Sequence, residues 1–188
     1  MGFFLADRLS RSYHTGRYRT VRELIGGGRP KLLDIGCGRP CGCMEDGAFI
    51  RFMGFGTGLD VKDCGGGFDF QKGDLMDMRF ADGSFDVVVA MEVLEHVTDL
   101  DIALSNIHRV LRDDGVFIMS TPNNNILWRV VWFLWARTFG RMWLDTHKTN
   151  VDERSWLAIL GRRFDILEKR THWGVNLIVK MGKKKNRG

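Results

Sequence analysis

Three acidic residues set beside glycines, and a later group of carboxylates and imidazoles, are the residues of this 188-residue chain whose types and spacing could do chemistry. The sharpest signal is Lys31-Leu-Leu-Asp34-Ile-Gly36-Cys37-Gly38, an apolar run entering Gly-x-Gly just after an acid. Glycines carry no Cβ, so their N–H groups can close on a ligand, and dinucleotide sites use such a turn to hold pyrophosphate at a helix N-terminus. Two features argue against pyrophosphate. Asp34 would put negative charge beside it, and Cys41 stands where the third glycine of G-x-G-x-x-G is expected. A ligand with a cationic end suits the acid better. Gly58-Leu59-Asp60 and Gly73-Asp74-Leu75 repeat the pairing of acid and glycine; a carboxylate can accept two hydrogen bonds from a vicinal diol. Further on come Glu92, Glu95 and His96, then His147. On a helical turn Glu-x-x-Glu puts both carboxylates on one face. Two carboxylates and two imidazoles could hold a divalent ion that lowers a hydroxyl's pKa. Without an ion, His96 or His147 is the candidate general base, with Glu92 as a third candidate catalytic group.

These residues need a frame, and the apolar patterning supplies one. Strand-like runs fall at 31–35, 56–61, 68–71, 85–90, 116–120, 164–170 and 175–181. Several are continuously apolar, as strands buried on both faces are. Residues 99–115 read as a helix, with Thr98 or Asp99 at its start and Gly115 at its end. An N-terminal segment, 1–30, is expected to be helical over 18–25 and stopped by Gly26-Gly27-Gly28. A short crossover helix is expected at 43–53. Strands alternating with helices imply a mostly parallel sheet. The last two runs meet at His172-Trp173-Gly174, a hairpin spacing that makes one strand antiparallel. A single domain over 1–188 is expected, with an insertion or lid at 123–150 and a basic tail at 182–188.

In this order the motifs resemble the class I S-adenosylmethionine-dependent methyltransferases, from about Lys31 to the C-terminus. Leu33 to Gly38 resembles that family's first motif, Asp60 the acid that meets the ribose hydroxyls, and Asp74-Leu75 the segment that meets the adenine. Phe85 to Val97 resembles the fourth strand and the turn after it, and Leu111 to Pro122 the fifth strand. The resemblance implies a Rossmann-like, doubly wound α/β fold with a seven-stranded, mostly parallel sheet. It implies S-adenosylmethionine contacts at Asp34, Gly36, Cys37, Gly38, Asp60, Val61, Asp74, Leu75 and Met91. The stretch between Asp60 and Asp74 is short and glycine-rich, leaving no room for the usual helix, so the adenine side is expected to be more open. Glu92, Glu95, His96 and His147 resemble the ion-binding set of metal-assisted RNA-end 2′-O-methyltransferases. Glu-x-x-Glu-His also resembles the ubiquinone O-methyltransferases.

Composition narrows the remaining choices. A chain 44% hydrophobic and 27% charged is ordinary for a globular protein. No leader pattern is evident at the start, Ala6 breaks the myristoylation motif that Gly2 would open, and no run is long enough to span a membrane. Cys41-Gly-Cys43 is half a metal site without its other half, so Cys37, Cys41, Cys43 and Cys64 read as reduced thiols of a cytoplasmic protein. The net charge of +5 hides an acidic middle between basic flanks. Residues 126–143 hold four of the six Trp, with Arg129, Arg137 and Arg141 on one side of a helical wheel. That segment reads as a helix covering the sheet, a lid over a hydrophobic acceptor, a dimer contact, or a helix lying on an anionic membrane surface. Three functions stay open: O-methylation of a small hydrophobic acceptor, methylation of RNA ends, and cofactor binding without catalysis as an activator of another methyltransferase.

Overall fold

Alternating burial turns the apolar runs into a sheet packed on both faces. A computed structural model of the chain describes residues 2–38, 49–63, 68–123 and 151–184. Seven strands, β1 (Leu32–Ile35), β2 (Thr57–Asp60), β3 (Asp69–Lys72), β4 (Phe85–Met91), β5 (Leu111–Pro122), β6 (Phe164–His172) and β7 (Asn176–Lys183), lie in the order β3-β2-β1-β4-β5-β7-β6. The first five are mutually parallel, and β7 runs antiparallel to both β5 and β6. This is the Rossmann-like seven-stranded arrangement that the motifs imply.

Successive residues of each central strand serve opposite layers, the period-two rule of a pleated chain. Leu33, Val88, Ala90, Phe117, Met119, Leu177 and Val179 face α3 (Leu100–Val110) and α4 (Glu153–Leu160), which contribute Ala103, Leu104, Ile107, Trp156 and Leu160. Leu32, Val87, Val89, Ile118 and Ile178 face α1 (Gly2–Ile25) and α2 (Phe49–Met53). α1 buries Arg17, Tyr18, Val21 and Leu24, a spacing of three to four residues that keeps one stripe against the sheet.

The elements depart from expectation in several places. α1 extends far beyond the expected 18–25. Asp99 is the start of α3, its Oδ1 accepting from Ile102 N at 3.0 Å. The helix ends at Val110, and Gly115 lies buried within β5 instead of capping it. A Cβ on Gly115 would approach Asp86 O to 2.9 Å, so tight strand contact, and not a helix end, explains that glycine. α4 carried no signal that was read from the sequence. β7 runs on into the expected tail: Lys183 Nζ donates to Leu111 O at 2.9 Å and pairs with Asp113 at 3.0 Å. Residues 43–48 of the expected crossover helix, the Trp-rich segment 126–143 and His147 lie outside the described residues. No helix among the described residues is long and apolar enough to cross a membrane.

Candidate cofactor site

Parallel strands deliver their C-terminal ends to one edge, and the strand order reverses between β1 and β4, where open α/β sheets bind ligands. At that edge lies a cleft of about 270 Å³, near the lower end of the size range of small-molecule sites. Ile35, Gly36, Leu59, Asp60 and Val61 form one side; Asp74, Leu75 and Met76 form another; Val93 and His96 to Thr98 close it. The walls are mostly aliphatic, and polar groups sit at the rim.

Gly36 makes the floor. Its φ of +68° is left-handed, and a Cβ there would come within 2.3 Å of Val93 Cγ2. Its N–H donates to Leu59 O at 2.7 Å, tying the turn to β2. Gly36→Ala is therefore expected to cost about 2–3 kcal/mol, from the left-handed conformation and the clash with a β-branched neighbour together. Adding Val93→Ala should recover the steric part and leave roughly 1 kcal/mol. Denaturant melts of the two single variants and the double variant would measure that coupling; strictly additive losses would contradict the contact.

Asp60 is held at the rim by its neighbours. Oδ2 accepts from Gly38 N at 2.9 Å and Oδ1 from Lys62 N at 2.8 Å. Each oxygen keeps a lone pair to spare. Asp74 is exposed and caps a 3-10 turn, Leu75–Asp77, by accepting from Met76 N at 2.9 Å. That turn presents Leu75 and Met76 to the cleft. Asn106 Nδ2 braces it through Leu75 O and Met76 O at 3.1 and 3.0 Å.

Asp34 is placed differently from its neighbours. It is 2% exposed and lies behind the cleft wall, its Oδ2 accepting from Ile50 N at 3.2 Å. Burial, and secondarily the charge of Asp60, push its carboxyl up to about 7. Cys37 is buried and Gly38 holds Asp60, while Met91 packs on the α1 side of the sheet. Of the nine residues expected to touch the cofactor, the structure brings Gly36, Asp60, Val61, Asp74 and Leu75 to the cleft itself.

The catalytic candidates also separate. His96 is exposed and lines the cleft. Glu95 is buried, and desolvation followed by the nearby Glu92 charge raises its carboxyl to about 8. Glu92 has a left-handed φ of +57° and precedes the 3-10 turn Leu94–His96, so the two carboxylates do not share a helical face. Its Oε1 accepts from Asn176 Nδ2 at 2.7 Å and Ser120 Oγ at 3.1 Å and pairs with Arg17 at 3.2 Å. Glu92 is thereby an anchor between β4, β5, β7 and α1. Among the described residues no three His, Cys, Asp or Glu side chains are grouped to hold a metal ion, so Glu92, Glu95 and His96 do not form such a group by themselves, and His147, the fourth candidate ligand, lies outside the described residues.

Sequence reasoning did not find Arg17, Tyr13, Ser120 or Asn176. A usable signal existed in Arg17, a lone charge on the apolar stripe of α1, and in Asn176 at the head of an apolar strand. Around Arg17, burial lifts the Tyr13 hydroxyl to about 12, and burial together with the Arg17 charge lowers His14 to about 4.

Comparison with known proteins agrees with this geometry. Residues 33–119 match the family model described as "Methyltransferase domain". The chain is 30% identical over 136 residues to the ubiquinone biosynthesis O-methyltransferase of Azorhizobium caulinodans, covering 65% of this chain and 51% of that protein. It is 36% identical over 102 residues to the sterol 24-C-methyltransferase of Yarrowia lipolytica, covering 46% and 26% respectively. The chain thus spans between about a quarter and a half of these curated relatives. The N-methyltransferase NodS of Bradyrhizobium japonicum, solved with S-adenosyl-L-homocysteine, superposes with a TM-score of 0.64 at 16% identity, over 92% of this chain and 88% of that one. The sheet order, the glycine-floored cleft and the matched residues 33–119 are those of a Rossmann-like methyltransferase domain, and they support a place in the class I S-adenosylmethionine-dependent methyltransferase superfamily.

Proposed function

We propose that this chain methylates a hydroxyl of a small hydrophobic acceptor, using S-adenosylmethionine. The observation that carries the reading is the cleft itself, with a left-handed glycine on its floor and an anchored carboxylate, Asp60, at its rim. A Cβ at Gly36 would collide with Val93 on the cleft wall, so only glycine lets the backbone turn close there, and Asp60 has lone pairs left for a diol; the residues fit a nucleoside. When bound, the cofactor supplies a methyl group on a sulfonium, activated for in-line displacement.

In this reading Asp60 accepts from the two ribose hydroxyls. Leu75 and the turn capped by Asp74 flank the adenine, with Val61 opposite. Asp34 offers its charge to the ammonium end from behind Gly36, Cys37 and Gly38, and Met91 supports the fourth-strand side of the wall. His96, exposed on the cleft, takes the acceptor's proton as general base; His147 stays an alternative base in the same role. Glu92 holds the acceptor edge together and does not itself move a proton. The relatives that act on ubiquinone precursors and sterols support a hydrophobic acceptor.

The test pairs binding with turnover. Asp60→Ala is expected to weaken S-adenosylhomocysteine binding by about 10–100-fold in calorimetry, the worth of one or two charge-assisted hydrogen bonds. Labelled methyl transfer to a panel of catechols, quinols, sterols and RNA ends would then identify the acceptor. Transfer to RNA, falling steeply as salt rises, would reject the small-acceptor reading.

A further inference from the structure

The opposite edge of the sheet carries a second cavity that the proposed reaction does not use. The N-terminal ends of β1 to β4 and the loops before them border an open hollow of about 670 Å³, well inside the size range of small-molecule sites. Three cations border it, Arg29, Lys31 and Arg79, against one carboxylate, Asp69. Its walls include the rings of Phe55, Phe80 and Phe85.

The arrangement of these groups sets the ligand's chemistry. Asp69 is engaged with its neighbour strand, Oδ2 accepting from Thr57 Oγ1 at 2.6 Å. Arg29 lies over the Phe55 ring at 5.2 Å and donates one bond to Gly54 O at 3.3 Å. A guanidinium has five N–H donors, so most of its fork is left for an anion. Among the described residues Arg79 pairs with Asp77, at 3.9 Å, with both side chains about four-fifths exposed, a pairing worth little. Among the described residues neither the Arg29 guanidinium nor the Lys31 ammonium is in an ion pair, although the Lys31 backbone N–H donates to Asp86 Oδ2 at 2.8 Å. Like charges gathered around a concave, partly apolar surface focus a positive potential there. The phenyl rings add nothing for a bare inorganic ion, but they favour a flat apolar body carrying the charge.

We propose that this cavity is a second binding site, for a planar aromatic anion such as an aryl carboxylate, sulfonate or phosphate. The ligand's charge sits in the Arg29 fork with Lys31 and Arg79 nearby, and its ring lies against Phe55 and Phe80. β1 connects the two edges, so the site and the methyl-transfer cleft are separated by the length of a four-residue strand, roughly 13 Å.

Calorimetric titration of the full chain with naphthalene-2-sulfonate tests this, with and without saturating S-adenosylhomocysteine. One site per chain is expected, weakened by salt and unaffected by the nucleoside. Arg29→Glu should lose at least about tenfold in affinity and Phe55→Ala about threefold. Asp60→Ala should leave the probe's affinity unchanged. Because Arg79 is exposed, Arg79→Glu provides a variant that keeps the fold, and it too should bind the probe more weakly. Absence of binding at millimolar probe, displacement by S-adenosylhomocysteine, or wild-type affinity in folded Arg29→Glu and Arg79→Glu variants would each overturn the proposal.

Discussion

Asp34→Asn is expected to make the ligand-free protein more stable at pH 8, by up to about 4 kcal/mol, while weakening its hold on the cofactor at least tenfold. The first half follows from the burial of the carboxyl, which sits up at about 7 against an ordinary 3.8. A raised acid binds its proton more tightly in the folded chain than in the unfolded one. Its stabilising contribution is complete below about pH 4 and is lost as the pH climbs through about 7. Wild-type stability should therefore fall across that window, and the asparagine variant, which has no charge to bury, should fall less. Glu95, lifted to about 8, acts in the same direction, so Glu95→Gln separates the two slopes. The second half follows from the proposed role: an ammonium group brought near Asp34 compensates the charge that burial penalises, so cofactor affinity should rise with pH up to about 7. Thermal melts and S-adenosylhomocysteine titrations from pH 5 to 9 read both effects. An asparagine variant with wild-type affinity at every pH would remove Asp34 from the cofactor site.

Breaking the ion pair beneath α1 should instead destabilise the protein, by a similar amount. Arg17 is 5% exposed, and although burial disfavours its charge, the Glu92 carboxylate together with Tyr13, Tyr18 and Glu95 outweighs that and holds its pKa above the ordinary value. Arg17→Ala strands a half-buried Glu92 that still has Asn176 and Ser120 as donors but no counter-charge. The expected loss is about 3–5 kcal/mol, or roughly 10 °C in Tm for a domain of this size. Adding Glu92→Gln should recover a good part of it, because the second variant removes the charge left behind. The pair also fixes Glu92 in its left-handed backbone conformation, which a non-glycine residue holds only under constraint. A single-variant cost below about 1 kcal/mol would mean that water reaches the pair. α1 would then be a loosely docked helix, not part of the frame around the acceptor edge.

The residues of β1, β2 and β4 show how much of the site is legible in the chain. Their apolar runs end in Gly36, Asp60 and Met91, and parallel pairing must then bring those ends to one edge. Asp34 shows the limit. Its type and place in the motif point to a ligand, yet its burial behind the cleft wall depends on Ile50 reaching it from α2. Glu92 shows the same limit more strongly: the residue was visible as a candidate catalytic group, and its three partners tie it to β5, β7 and α1.

Local pattern by itself determined the strands, the glycine turn and the order of acids along one sheet edge, because backbone sterics and two-residue alternation act over a few neighbouring positions. Tertiary structure alone decided which carboxylates are exposed, paired or protonated, and that the far edge of the sheet holds a cation-rimmed cavity. Those properties arise from side chains brought together across long stretches of chain, as when Asn176 meets Glu92 across 84 positions. Desolvation and pairing are set by what surrounds a group in space, and sequence spacing does not encode that.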